Sequence, residues 1–583
     1  LNRAIKLANM LADVSETDIL DEIDQINDRM WEMAQRIWWR RRNRSASWDE
    51  YFAIRDAIEP EKIVAIDLYE MHKSYPLIEL KNEQDLLWAQ RAVIHMEGLQ
   101  IEPQAKRFYP YGASASQLIG WVGPVNENDM GLFENDEYMR YLSGELLGKF
   151  GIERIYEPVL RGRRGEVIYD REGNLVEKKE PEYGRNVQLT IDIELQQQIE
   201  ALLANPAMPH RGKLSAAVVL DAARNDILAV ASIPTFDLNR IRQYDYYNQI
   251  FNDPNAPMVN RALGKNYPPG STIKPLILIA GLEDGKITPG EVIHCSWEPP
   301  PESWPRCLLQ RRGGCHDNRW QYEGGNIARN AIRGSCNIYF SRLADRLDGR
   351  RLQEWLFQFG YGQDILPTPI PDDTPVSAPL SLEIPQAHGN LIAGIQTSPA
   401  TAVSDLTKIP SYEKRWWGMG QGNIRVTVLQ AANALSAIAR GGVYKPPRLV
   451  FDEQDPLNDK YRRRIPVSSN TLAVIRDGLH AVVYESGGTA YNVFSGSDLL
   501  QRNMTLYGKT GSTENPEHAW FECLAEDTAG RALVIAALVE GGQSGSGEAA
   551  PLGKEILRLC NEAGYIGRRP TVEPSGQGPH QPD

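Results

Sequence analysis

Ala216-Ala217-Val218-Val219-Leu220-Asp221, followed after a short polar turn by Asp226-Ile227-Leu228-Ala229-Val230-Ala231-Ser232, decides the fold. Two apolar runs of strand length this close together predict a β-hairpin. On the N-terminal side, Val187 to Asp192 alternates as a strand and Glu194 to Leu203 has helical texture. On the C-terminal side, Tyr267-Pro268-Pro269-Gly270-Ser271-Thr272-Ile273-Lys274-Pro275 leads into Leu276-Ile277-Leu278-Ile279-Ala280. Two prolines and a glycine break the incoming chain, and an apolar helix follows. Strand, strand and helices in this order predict an α+β fold, an antiparallel sheet sandwiched by helices.

Ser271 falls at or near a helix N-terminus, where backbone N–H groups lack intrahelical partners, and Pro275 is tolerated in the first turn. Ser271 and Lys274 are three apart and share one helical face. A serine is a weak nucleophile until a base takes its proton. A partly desolvated lysine near the positive end of a helix is pushed towards the neutral form that can do so. Alone, such a pair is an ordinary helix start.

Two companions change that. Ser335-Cys336-Asn337 lies in Ala331 to Phe340, and Lys509-Thr510-Gly511 in Leu506 to Thr513. S-x-x-K, S-x-N and K-T-G in this order are the signature set of penicillin-binding proteins and related β-lactamases. The chemistry is coherent as acyl transfer. Ser271 attacks, Lys274 is its base, and Ser335 relays a proton to the leaving amine. Asn337 offers an amide to Lys274 and to substrate, Lys509 a charge for a substrate carboxylate, and Thr510 a hydroxyl. Gly511 lets a substrate backbone lie close to the strand. The N–H groups of Ser271 and Ser512 would form the oxyanion hole, each donor contributing about 3 kcal/mol. A phosphate-binding loop ending at Gly508-Lys509-Thr510 is excluded: it needs glycine at 503, which is Asn, and a following helix, where Ala519 to Leu524 reads as a strand.

With 583 residues, two or three domains are expected, and 42% apolar with 24% charged residues is globular. A net charge of −13 argues against a nucleic-acid partner. No apolar run of membrane-spanning length occurs. The start at Leu1 is read as that of a fragment, which neither shows nor excludes an upstream anchor. Ile19, Leu20, Ile23, Ile26 and Met30 have helical spacing. Trp38-Trp39-Arg40-Arg41-Arg42 is read as a half-buried helix end with solvated arginines, ahead of a membrane-surface contact. Residues 60–184 are rich in turn signals and hold no catalytic constellation.

The chain resembles the class B penicillin-binding proteins, most closely the elongation-type subgroup acting in cell-wall synthesis of rod-shaped bacteria. The resemblance covers roughly residues 100–560. It rests on Arg107 to Gly123, Gly148 to Gly162, Leu189 to Asp192, Tyr267 to Pro275, Ser335 to Phe340, Gly418 to Gly422, Gly487 to Ala490 and Lys509 to Thr513. It implies a peptidoglycan D,D-transpeptidase with a non-catalytic, dimerisation-like pedestal over 1–184, a transpeptidase domain over 185–566 and a disordered tail over 567–583. It implies Ser512 and Thr513 hydroxyls contacting substrate or a β-lactam. It further implies an inner-membrane anchor absent from this chain, a periplasmic catalytic domain, and a membrane-embedded glycosyltransferase and other elongation-complex proteins as partners. The anchor and the arginine-glycine motif that follows it are missing, and Glu522-Cys523 stands where the family often has a glycine.

The third departure is an insertion over about 292–325, with Cys295, Cys307, Cys315 and His316. Three thiols and an imidazole suit tetrahedral zinc, and some elongation-type relatives carry a metal in this interval. A disulfide with one thiol left over is the other reading. The reaction itself needs no cofactor. Cys336 and Cys560 are read as packing residues.

Other functions stay in view. A carboxypeptidase or β-lactamase uses the same motifs. The β-lactamase reading wants a Glu where the nearest match has Gln454, far from Ser335. A non-enzymatic β-lactam sensor would pair this domain with a zinc protease, whose H-E-x-x-H is absent. An inactive scaffold sits poorly with the intact Ser271, Lys274, Ser335, Asn337 and Lys509.

Overall fold

Ser15 starts the first helix, α1 (Glu16–Arg42), in a capping box. Its hydroxyl accepts from Asp18 N at 3.1 Å, and the Asp18 carboxylate accepts from Ser15 N at 3.2 Å. At the far end Trp39 is buried near Tyr51 and the Arg42 guanidinium covers Trp38. The basic aromatic cluster is thus a half-buried helix end. This computed structural model describes residues 15–43, 51–53, 55, 58, 80, 83–93, 96, 99, 101, 107–126, 129, 131–134, 136–142, 145–170, 174–302, 304–310, 313–367, 385–451 and 460–567. The expected disordered tail and the Gln454 segment lie outside them, except Gly567. No helix among them is long and apolar enough to cross a membrane.

The chain divides into two compact units, Leu1–Arg107 and Phe108–Asp583. This boundary precedes the domain boundary expected near 184, for a packing reason. Ala115, Leu118, Ile152, Ile155, Tyr156 and Val159 belong to the same buried core as the central sheet. Glu200 takes hydrogen bonds from Ser114 Oγ (2.8 Å) and Ala115 N (2.9 Å). The early part of this unit has two small antiparallel pairs, β1 (Val122–Pro124) with β2 (Leu146–Gly148), and β3 (Glu166–Tyr169) with β4 (Leu175–Lys179).

Beyond α2 (Ile193–Ala204) come β5 (Ser215–Asp221) and β6 (Ile227–Ser232), the expected hairpin, paired antiparallel. The chain then runs through α3 (Lys274–Glu283), α4 (Ala328–Arg333), α5 (Asn337–Arg346), α6 (Val428–Ala439) and α7 (Ser469–Tyr484). It ends with β7 (Met504–Glu514), β8 (Glu517–Asp527), β9 (Ala532–Glu540) and α8 (Ala550–Glu562). One five-stranded sheet results, in the order β6-β5-β9-β8-β7, antiparallel throughout. Helices α2 and α8 pack against each other and the sheet, and α6 packs on β5, β8 and β9. The apolar runs of β5 and β9 are continuous because both faces of the sheet are covered. α3 is apolar on all sides and buried from Lys274 to Gly281, as a helix inside a core must be.

Candidate active site

Gly270–Ile273 forms one 3-10 turn that runs straight into α3, with Pro275 in its first turn. Ser271 therefore sits in the turn before the helix, 9% exposed, and its hydroxyl has no hydrogen-bond partner among the described residues. The loop Gly418 to Gly422 backs this turn. Gly270 N donates to Gly420 O at 2.9 Å, and a Cβ on Gly420 would fall 1.9 Å from Gly270 O. Gly420 also has φ +75°, where side chains are disfavoured. Only glycine lets the two backbones meet.

Lys274 is wholly buried. Its Nζ donates to Ser335 O at 2.8 Å, Ser335 Oγ at 3.1 Å and Asn337 Oδ1 at 2.8 Å. Burial pushes its pKa down to about 7, against the opposing pull of Cys336 and Cys307. A neutral amine is then accessible at ordinary pH. Ser335 holds a left-handed φ of +56°, a backbone strain of the kind that surrounding structure must impose. Asn337 opens α5, with Cys336 as N-cap. Its amide nitrogen donates to Arg306 O at 3.1 Å, so the group expected to meet substrate is engaged by the insertion.

The third motif arrives on the edge strand β7. Lys509 Nζ donates to Ser335 Oγ at 2.9 Å and to Thr510 O at 2.8 Å. Two lysines from separate stretches thus converge on one hydroxyl. Sharing that oxygen puts the two nitrogens at most about 6 Å apart, where at an effective dielectric constant of about 20 two ammonium charges repel by about 3 kcal/mol or more. Burial first, and the Lys274 charge second, hold Lys509 well below the usual lysine range. Thr510 Oγ1 donates to Thr489 Oγ1 at 2.6 Å, within the Gly487 to Ala490 stretch on which the family resemblance also rests. Ser512 Oγ accepts from Gly545 N at 2.9 Å, Thr513 Oγ1 donates to Pro516 O at 2.5 Å, and Gly511 lies against Thr272 and Trp520.

The insertion reaches this site through a buried group of Cys295, Cys307, His316 and Cys336, whose ligand atoms all lie within 4.8 Å of one another. This corrects the expected set: Cys336, read as packing, takes the place of Cys315. Cys315 is buried in extended backbone just before the short helix His316–Arg319 and stands outside the group. Cys336 comes instead from the second motif, brought there as the N-cap of α5. All six cysteines are free thiols.

The four side chains fit a tetrahedral ion. Zn–S near 2.3 Å and Zn–N near 2.0 Å give S···N edges of about 3.6 Å. His316 Nδ1 is 3.2 Å from Cys307 Sγ and 3.6 Å from Cys295 Sγ. His316 Nε2 is 3.0 Å from Gly334 O, fixing the ring as the second shell of a metal ligand does. Cys336 Sγ accepts from Asn326 Nδ2 and Tyr339 N, both at 3.4 Å. Gly334 is required by this contact, since a Cβ there would fall 2.8 Å from His316 Nε2.

Fold and motifs together define the class, a five-stranded antiparallel sheet that gathers the S-x-x-K, S-x-N and K-T-G motifs at one edge. Residues 215–558 match the penicillin binding protein transpeptidase domain, and residues 2–189 match the penicillin-binding protein dimerisation domain. The chain belongs to the penicillin-binding protein transpeptidase family. Peptidoglycan D,D-transpeptidase MrdA of Escherichia coli (strain K12) is 29% identical over 422 residues, 68% of this chain and 60% of that protein. The match thus spans less than two thirds of that relative. MrdA of Salmonella typhimurium (strain SL1344) is 28% identical over 530 residues, 83% of this chain and 77% of that one. The crystal structure of Pseudomonas aeruginosa PBP2 in complex with WCK 5153 is similar with a TM-score of 0.63 at 25% identity, covering 81% of this chain and 95% of that chain. Helicobacter pylori PBP2, solved in complex with MreC, shares the fold with a TM-score of 0.67 at 23% identity, covering 84% of this chain and 85% of that chain.

Proposed function

We propose that this protein is a peptidoglycan D,D-transpeptidase that cross-links stem peptides through an acyl-enzyme on Ser271. The observation that carries the reading is the convergence of Lys274 and Lys509 on Ser335 Oγ, beside the turn that bears Ser271. Neutral Lys274 takes the Ser271 proton as Oγ bonds to the penultimate D-alanine carbonyl carbon. The N–H groups of Ser271 and Ser512 hold the oxyanion. The C–N bond then breaks as the leaving D-alanine takes a proton from Ser335 Oγ, which Lys274 replenishes. In the second half an amine of another stem attacks the ester. Its proton leaves by the same route, and Ser271 recovers its own. Lys509 and Thr510 hold the substrate carboxylate, and Ser512 and Thr513 line its approach. A β-lactam mimics the first peptide and stalls as the ester.

The buried group of Cys295, Cys307, His316 and Cys336 holds a zinc ion in this reading. The ion supplies no reaction step; it pins the insertion to the backbone of Gly334 and Cys336 on either side of Ser335. We infer further, from the family resemblance, an elongation role at the inner membrane, with the catalytic domain periplasmic, and a membrane-embedded glycosyltransferase and other elongation proteins as partners. The test is incubation with a D-Ala-D-Ala stem peptide and an acceptor amine. One D-alanine released per cross-linked product supports transpeptidation; D-alanine release with only hydrolysed donor replaces it with a carboxypeptidase.

A further inference from the structure

Glu522 stands directly opposite Lys509 in the antiparallel ladder of β7 and β8. Directly paired residues project from the same face of a sheet. Glu522 is 5% exposed and Lys509 1%. The adjacent pairs Phe521 with Thr510 and Cys523 with Gly508 point to the other face. Glu522 Oε1 is buried with no hydrogen-bond partner. Lys509 and Glu522 are not in ion-pair contact among the described residues; they interact through their charges.

A buried carboxylate with an unmatched oxygen takes up a proton unless a nearby positive charge compensates it. Here the charge available is Lys509, which needs the same compensation. Burial and the Lys274 ammonium both drive Lys509 towards the neutral amine, and Glu522 is the group that opposes them. We propose that Glu522 is a positioning residue for Lys509: its carboxylate keeps Lys509 an ammonium in the closed site until a substrate carboxylate arrives. The inference rests on the transpeptidase reading of Lys509.

The surroundings leave this role to Glu522. Lys274 on α3 is the second cation facing Lys509, and Thr272, beside the carboxyl, commits its hydroxyl proton to Pro269 O at 2.8 Å. Tyr361 feels the Glu522 charge and stays protonated. α6, packed on β8, has no ionisable residue. α7 brings Arg476 and His480 against Tyr507, two residues from Lys509, and Arg476 is paired with Glu526 at 2.7 Å. Burial pushes the Glu522 carboxyl up to about 8 against the pull of Lys509, so the carboxylate persists only beside a charged Lys509 and each group's charge depends on the other's.

The test uses the full chain carrying [13Cε]lysine and [13Cδ]glutamate, with the Lys509 resonance assigned through Lys509→Arg. In Glu522→Gln the Lys509 midpoint falls by about one pH unit or more, and Glu522→Asp restores most of it. The basic limb of the penicillin acylation profile moves down by the same amount, while the acidic limb does not move down. An unmoved Lys509 midpoint in folded Glu522→Gln overturns the proposal. If that variant does not fold, wild type decides: Lys509 Cε and Glu522 Cδ report one shared transition, and independent transitions overturn it. A wild type that titrates this way yet is never acylated overturns the transpeptidase reading and not the pairing.

Discussion

His316 Nε2 lies 3.0 Å from the carbonyl oxygen of Gly334, the residue before the motif serine Ser335. The contact ties a Cys-rich insertion to the second catalytic motif, and Cys336 ties it again from the other side of Ser335. The geometry of Ser335 is therefore shared property of the motif and the insertion.

Metal content follows from this. Purified protein carries about one zinc per chain by elemental analysis, and His316→Ala or Cys336→Ser loses it. Either loss lowers Tm by about 5 °C or more and slows acylation, because the left-handed backbone at Ser335 loses its outer support. Full metal retention in both variants would refute the assignment of these ligands.

Acylation depends on pH through Lys274. Burial holds its pKa near 7, and only the neutral amine accepts the Ser271 proton. The rate constant therefore rises with pH through about 7 and is lost below it as Lys274 gains its proton. Lys274→Arg keeps the charge and removes the base, so the rate falls by about 1,000-fold and the rise disappears. A rate flat across this range in wild type would show that another group is the base.

The turn under Ser271 is sensitive to one methyl group. Gly420→Ala places a Cβ 1.9 Å from Gly270 O and forces a side chain into a left-handed φ. The expected loss is about 2–4 kcal/mol of stability, with acylation falling further than in a surface control of equal Tm. An alanine variant with unchanged Tm and rate would mean the two backbones are free to part.

Much of this was legible in the sequence, for identifiable reasons. The hairpin of β5 and β6 announces itself because its strands are buried on both faces and read as unbroken apolar runs. Ser271 and Lys274 are local in the chain, and proline and glycine punctuate the turn that carries them. Lys509 is found by its motif, yet its meeting with Lys274 on Ser335 is a tertiary fact. Cys336 escaped because it lies twenty residues from His316, at the variable centre of the S-x-N motif rather than inside the insertion. Glu522 appeared only as a departure from a family pattern; strand register, which no single-strand reading supplies, puts it opposite Lys509. Compact packing and the family boundary fall in different places: residues 115–159 join the main core through scattered apolar side chains, while the dimerisation-domain match runs on to residue 189.

The most direct measurement is intact-mass analysis of wild type and Ser271→Ala after incubation with a labelled penicillin, followed for hours. The account predicts a stable single adduct on wild type and none on Ser271→Ala at equal folded content. No adduct on folded wild type, or an equal adduct on Ser271→Ala, would contradict it.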